Sequence, residues 1–328
     1  MSQKALVKIR NVIAAIIALV AALIIALIFI KPKTLIYLIF MGLLRGALYA
    51  LVAASLSLIF GVMNITSFMQ GDLAMIGGYV CYWAIELFKV DPAIAIVLSG
   101  VALFGLGWIL DKAFIFPLRK RVGYMEWVMH SFVLTLGLSI VFQNMALIIC
   151  GPLERGFPYF WRGTVSVFGV HFGIMRVIIF CTSIGIITAF WIFLMRTRIG
   201  RAIRAVSIDE EAAVMVGVNI DRIYSLTLGL SAMLSGLAGA LLLPLFSVYP
   251  TSGVQLSLNA WVIVIMAGLG NVKGAIFCSL LLGIIEAFSI RFISAGWQRV
   301  LSLIIVILIL LLKPSGIFGE EVKGIWER

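Results

Sequence analysis

The residues of this chain able to do chemistry are few and stand apart from one another among aliphatic side chains. Arg45, Asn64, Thr66, Gln70 and Asp72 fall early, and Ser252, Gln255, Asn259 and Glu286 fall late. None has the base or the metal-ligand spacing that nucleophilic or metal chemistry requires. The two histidines, His130 and His171, and the four cysteines, Cys81, Cys150, Cys181 and Cys278, stand singly without CxxC spacing. They indicate neither zinc nor a disulfide framework. The cysteines read as small hydrophobes and the histidines as interfacial side chains. Isolated hydroxyls, amides and ions inside apolar runs can instead line a passage for a small solute, because polar groups at membrane depth turn toward a protein interior or a wet cavity. The chain has no GxxxxGK[ST] loop, so it is not expected to be an enzyme or to hold a nucleotide; any ATP would bind to another subunit.

The elements that must position these residues are membrane spans. Of 328 residues, 63% are hydrophobic and 12% charged, and mean hydropathy is +1.19. Soluble domains carry about twice that share of charge, so the expected fold is an all-α polytopic membrane protein forming a single transmembrane domain over 1–328. The net charge of +11 implies no nucleic acid here. It tracks the inner face of a lipid bilayer.

Read in order, Lys4, Lys8 and Arg10 precede an apolar run, Val12 to Ile30, long enough to span at about 1.5 Å per residue. A signal peptide is the rival reading, but the run exceeds the usual length and Lys31-Pro32-Lys33 offers no cleavage site. Span 2, about 35–60, holds Gly42 and Gly46 in GxxxG spacing, which permits close helix approach. Arg45 lies between them and either faces the interior or sits shallow and snorkels. The polar stretch 61–72, GVMNITSFMQGD, leaves a short third segment, 73–85. Spans 4 (93–116), 5 (127–150, with Gln143-Asn144) and 6 (174–195) follow. Between the last two, 151–172 forms an external loop of mixed charges and aromatics, Glu154, Arg155, Phe157, Tyr159, Phe160, Trp161 and Arg162. It reads as an interfacial belt or as a docking surface for a soluble partner. After span 7 (223–243), the stretch 249–259, YPTSGVQLSLN, is a second polar break before a short eighth segment, 260–270. Spans 9, with the intramembrane acid Glu286, and 10 (300–312) complete about ten.

Between spans 6 and 7 lies the most polar stretch, 196–222, RTRIGRAIRAVSIDEEAAVMVGVNIDR. Ser207 and Glu210 have capping-box spacing. Asp209, Glu210 and Glu211 would occupy the first turn, where the helix dipole favours acids. Gly217 is placed for a left-handed stop. A helix this short is marginal alone, which implies a partner surface.

This stretch, with Arg201, Arg204, Ser207, Asp209, Glu210, Glu211, Ala212 and Gly217, resembles the cytoplasmic coupling loop of the permease subunits of ATP-binding-cassette importers. The type is that for branched-chain amino acids, LivH-like rather than LivM-like. AGLGNVKG at 267–274, LGIIEA at 282–287, Gln143-Asn144 and the KPSGIFG ending at 313–319 are similar to the same family. So is the order Asn64, Phe68, Gln70, Gly71, Asp72, although the family's histidine is replaced by Gln70. The resemblance covers about 40–320. It implies two ATPase subunits carrying ATP and magnesium, a second homologous permease chain, an extracytoplasmic substrate-binding protein, and a place in the bacterial plasma (inner) membrane. It also implies a path for branched-chain or related small amino acids or amides, with no cofactor or metal in this chain. The alternative is a stand-alone secondary transporter or channel for a small neutral solute.

With ten spans and the amino terminus inside, both termini and the 196–222 loop are cytoplasmic, and the basic residues divide 16 inside to 8 outside, with Arg45 apart, as expected. Treating segments 3 and 8 as re-entrant gives eight. In the ten-span reading, the broken segments are third and eighth, equivalent places in two inverted five-helix halves. Paired broken segments point to a translocation path, here flanked by Arg45, Asn64, Thr66, Gln70, Asp72, Ser252, Gln255, Asn259 and Glu286. Glu286 is either a coupling acid or a packing residue with a satisfied hydrogen bond.

Overall fold

A computed structural model describes residues 32–157, 163–167, 169–292, 296 and 298–319. The expected span at 12–30, the aromatic residues Tyr159, Phe160 and Trp161 with Arg162, and the last nine residues lie outside them. Helix α1 (Pro32–Met63) is followed by α2 (Gln70–Phe88), then α3, whose stretch Pro92–Leu110 continues through a π turn at Asp111–Ile115 and Phe116–Arg121. Next come α4 (Tyr124–Cys150), strands β1 (Thr164–Val167) and β2 (Val170–Gly173), α5 (Ile174–Arg196), α6 (Arg198–Ile208) and α7 (Glu210–Met215). The chain then runs through α8 (Ile220–Leu242), α9 (Ser252–Ala267), α10 (Val272–Phe292) and α11 (Gln298–Leu312).

Six of these helices are long and apolar enough to cross a membrane: α1, α3, α4, α5, α8 and α10. α2 has 19 residues but carries Gln70, Asp72 and Glu86, while α9 and the apolar part of α11 (Ser302–Leu312) are shorter.

The all-helical expectation requires one amendment. TVSV and VHFG pair antiparallel, Thr164 against Gly173 and Val167 against Val170. Period-two alternation and Gly169 at φ 73° are what a hairpin needs. The breaks are also shorter than the sequence suggested. α1 stays helical through Met63, and the irregular stretch is 64–69, so Gln70, Gly71 and Asp72 lie in the first turn of α2. Likewise Ser252, Gln255 and Asn259 all lie on α9.

α1 and α8 form the centre. α1 packs on α10, α8, α9 and α5, and α8 packs on α3, α2 and α1. The crossing of α1 on α10 is built on glycines. A Cβ at Gly42 would lie 2.6 Å from the Ile284 Cα, and one at Gly46 would lie 2.7 Å from the Leu280 Cα, which is the close approach expected of GxxxG. The buried face of α8 alternates Leu228, Ala232, Ser235 and Gly239. By contrast, Val133, Ile140 and Ile148 on α4 are largely exposed, as side chains turned toward lipid would be.

Candidate functional site

α2 and α9 begin inside the bundle and meet N-terminus to N-terminus. The Gly71 amide donates to the Ser257 hydroxyl at 2.8 Å, and that hydroxyl donates onward to the Phe68 carbonyl at 2.8 Å. Asp72 packs against Gly253.

Irregular backbone at membrane depth survives only if its polar groups are satisfied within the protein. In this protein four carbonyls around the break are met by side chains from other helices. Trp127 donates to the Met63 oxygen (2.8 Å), Thr135 to Thr66 (3.0 Å), Trp261 to Ser67 (3.1 Å) and Ser257 to Phe68. The Phe68 ring is stacked on Trp261 at 5.3 Å and meets Phe132 edge-on at 5.5 Å. The 64–69 stretch is therefore clamped between α4 and α9.

Gln70 is fully buried. Its side-chain oxygen accepts from Ser235 at 2.9 Å, with Ser55 at 3.3 Å and Ser231 at 3.4 Å. Asp72, also fully buried, accepts from the Ser139 hydroxyl and from the Gln143 amide at 3.2 Å. Ser139 and Gln143 sit at i, i+4 on one face of α4. Both acceptors hold the packing together, and neither is among the residues lining the two cavities on either side of the break.

A cavity of about 190 Å³ lies on one side of this crossing. α9 contributes Ser252, Gln255 and Asn259, α1 contributes Tyr49, and α2 and α8 contribute Met75 and Leu242. The 246–249 stretch closes its wall, and Arg45 reaches it with its guanidinium 6.0 Å from the Phe246 ring. Arg45 is thus half-buried and faces the interior. Behind the cavity, the Tyr49 hydroxyl donates to Glu286 at 3.0 Å, and Ser302 donates to the other oxygen at 3.3 Å. Both Glu286 carboxylate oxygens thus accept hydrogen bonds. Tyr49 was not evident from sequence, yet it stands four residues after Arg45, one turn along the same face.

On the opposite side of the clamped stretch, a second cavity of about 730 Å³ is lined by Met63, Asn64 and Trp127 together with Ser207, Asp209, Glu210 and Glu211. The structure thus places Asn64, exposed and at φ 51°, beside the 196–222 loop rather than with Gln255 and Asn259. Thr66 is part of the clamp.

The capping box expected at Ser207 is replaced by two helices, each with its own cap. Thr197 accepts from the Gly200 amide, so α6 is already under way and Ser207 lies in its last turn, donating to the Arg204 carbonyl at 2.8 Å. The chain extends at Asp209, whose carboxylate accepts from the Ala212 amide at 3.0 Å and starts α7. Gly217 is left-handed at φ 85°. Glu210 reaches across to α8, where the Tyr224 hydroxyl donates to it at 2.9 Å. Arg119, at the end of α3, stacks 4.4 Å above the Tyr224 ring and pairs with Asp221. Arg204 points back to the Met195 carbonyl, and Arg201 is exposed. The tip is apolar and open to solvent: Ile208 and Met215 are each 86% exposed and Val216 is 78% exposed.

The external loop also reaches the first cavity. Arg155 and Val248 exchange backbone hydrogen bonds at 2.8 and 2.7 Å, and Phe157 packs on Tyr82. Among the described residues, no group of three or more His, Cys, Asp or Glu could hold a metal.

A helical membrane bundle with a clamped break between two cavities and a capped loop helix at one end has the form of a transport permease. Residues 38–310 match the branched-chain amino acid transport system / permease component family, and the chain belongs to that family. It is 28% identical to the high-affinity branched-chain amino acid transport system permease protein LivH of Escherichia coli (strain K12), over 86% of this chain and 94% of that protein. It is 29% identical to BraD of Pseudomonas aeruginosa, over 85% and 94%, and 25% identical to the ribose import permease protein RbsC of Haemophilus influenzae, over 80% and 80%. No solved structure matches the chain.

Proposed function

We propose that this chain is the membrane-spanning subunit of an ATP-binding-cassette importer, set as a multi-pass protein in a bacterial inner membrane with both termini cytoplasmic. It provides the path for a branched-chain or related small amino acid or amide. The observation that carries this reading is the chain of contacts from the polar loop to the clamped break. Glu210 is bonded to Tyr224 on α8, and about two and about three turns further along the same helix, Ser231 and Ser235 hold Gln70 at the start of α2. A displacement of α7 pulls on α8, and α8 bears on the segment separating the two cavities.

The helix pairings support two inverted halves, with α1–α4 corresponding to α8–α11. α1 on α10 then matches α8 on α3, α2 on α8 matches α9 on α1, and α2 on α3 matches α9 on α10. In this arrangement two ATPase subunits, holding ATP and magnesium, grip 196–222. A second permease chain completes the pore, and a binding protein docks on the 151–172 side. The first cavity, with Tyr49, Ser252, Gln255 and Asn259 beside Leu242 and Phe246, suits a solute with a polar head and a short apolar body.

Uptake into proteoliposomes, with and without co-reconstituted ATPase subunits, tests the reading. Uptake should require ATP and those subunits. Gradient-driven uptake through this chain alone would establish a secondary transporter instead.

A further inference from the structure

Arg45 carries a charge in the interior of α1, and among the described residues it makes no ion pair. The buried acids Glu286 and Asp72 are engaged elsewhere. Glu286 accepts from Tyr49 and Ser302, and Asp72 accepts from Ser139 and Gln143 on α4. A cation at membrane depth turns to an opposite charge or to a wet cavity. Arg45 meets the first cavity, where the Phe246 ring at 6.0 Å attracts it weakly and supplies no counter-charge.

We propose that Arg45 is the specificity-determining residue of this cavity and selects a solute that bears a carboxylate. The inference rests on the importer reading above and narrows it, from amino acids and amides to amino acids and other small carboxylic acids.

The neighbouring groups have the matching chemistry. α1 and α9 run toward a common end, where a Cβ on Gly61 would lie 2.8 Å from the Gly270 carbonyl oxygen. At about 1.5 Å per residue, Arg45 and Gln255 then stand at nearly the same height, about 22–24 Å from that meeting, with Tyr49 and Asn259 about one turn nearer to it. Ser252 lines the same cavity about one turn beyond Gln255, and its buried hydroxyl has no hydrogen-bond partner among the described residues. A buried hydroxyl left without a partner is costly, and a ligand oxygen would satisfy it. A carboxylate offers acceptors alone, which suits the guanidinium fork and the Ser252 hydroxyl together. A primary amide would turn its own N–H donors toward one of them. The Leu242 and Phe246 side chains on the same wall leave room for a short apolar body.

The test uses the assembled transporter in membranes, in a background without native cysteines, with a thiol introduced by Ser247→Cys on the cavity wall. Its rates of reaction with an anionic and a cationic methanethiosulfonate are compared during ATP turnover. Arg45→Gln should lower the anionic-to-cationic ratio by about tenfold or more, because a unit charge at this range acts on both reagents with opposite sign, and Arg45→Lys should retain it. An unchanged ratio, or a thiol that neither reagent reaches, overturns the assignment. In proteoliposomes, uptake of L-leucine should likewise fall by about tenfold or more in Arg45→Gln, the scale of a lost charge-assisted hydrogen bond, and should largely survive in Arg45→Lys. Leucine uptake unchanged in Arg45→Gln, or ATP-driven uptake of acetamide that ignores the substitution, overturns the assignment. Leucine uptake that needs no ATP defeats the importer reading alone, since the reagent ratio does not depend on the driving force.

Discussion

Gly71 and Gly253 face each other where α2 and α9 meet, so closely that a methyl group on Gly71 would overlap the Gly253 carbonyl and one on Gly253 would lie 2.7 Å from the Asp72 Cα. Backbone lies within 3 Å on both sides, joined by the Asp72 carboxylate and the Ser257 hydroxyl, each of them held by its own hydrogen bonds. Relief would require the two helix starts to separate, and with them the clamp that divides the cavities.

Gly71→Ala and Gly253→Ala should therefore each lower stability by about 1–3 kcal/mol, the usual cost of overpacking, and should abolish ATP-driven uptake. Thermal unfolding in detergent and proteoliposome uptake provide the two readings. A variant with wild-type transport would show that the crossing is looser than drawn.

The two candidates for the loop cap, the Ser207 hydroxyl and the Asp209 carboxylate, make opposite predictions. Asp209→Ala removes the acceptor for the Ala212 amide and should cost α7 about 1 kcal/mol. Ser207→Ala removes only a bond back to Arg204 and should be nearly silent. Hydrogen exchange across 210–216 discriminates between them. Faster exchange in the serine variant and not in the aspartate variant would restore the capping box read from sequence.

Tyr224→Phe should uncouple rather than disassemble. The ring stays beneath Arg119, while the hydrogen bond to Glu210 is lost. ATPase subunits should still co-purify, and substrate-stimulated hydrolysis should fall several-fold, in line with about 1 kcal/mol for a typical hydrogen bond. Loss of co-purification with normal turnover would assign the tyrosine to docking instead.

A disulfide between Arg155→Cys and Val248→Cys should form readily, because directly opposed residues of an antiparallel bridge place their Cβ atoms about 4.5–5.5 Å apart. Oxidation should arrest uptake and reduction should restore it, if the 246–249 wall of the cavity moves during transport. Unchanged uptake in the oxidised protein would show that wall to be static.

Much of this was legible from the chain alone, wherever a local signal coincided with a structural need. The polar stretches 61–72 and 249–259 announced both breaks, and Gly217 announced a left-handed turn. The breaks looked longer than they are because Gln70 and Asp72 are polar yet helical, and their partners come from distant helices: Ser235 for one, Ser139 and Gln143 for the other. No window on sequence shows such a pairing. For the same reason neither Tyr49 nor Arg119 stands out in the sequence. Asn64 was grouped with the path by its place in the motif, whereas its backbone turn directs it to the loop-side cavity.

The exposed tip formed by Ile208, Val214, Met215 and Val216 gives this subunit a social obligation. Until something sits over those four side chains, the protein presents an adhesive apolar spot to solvent, of the kind that invites aggregation. Making this chain without the subunit that covers its tip should thus yield a short-lived protein, and its abundance should follow the supply of that subunit.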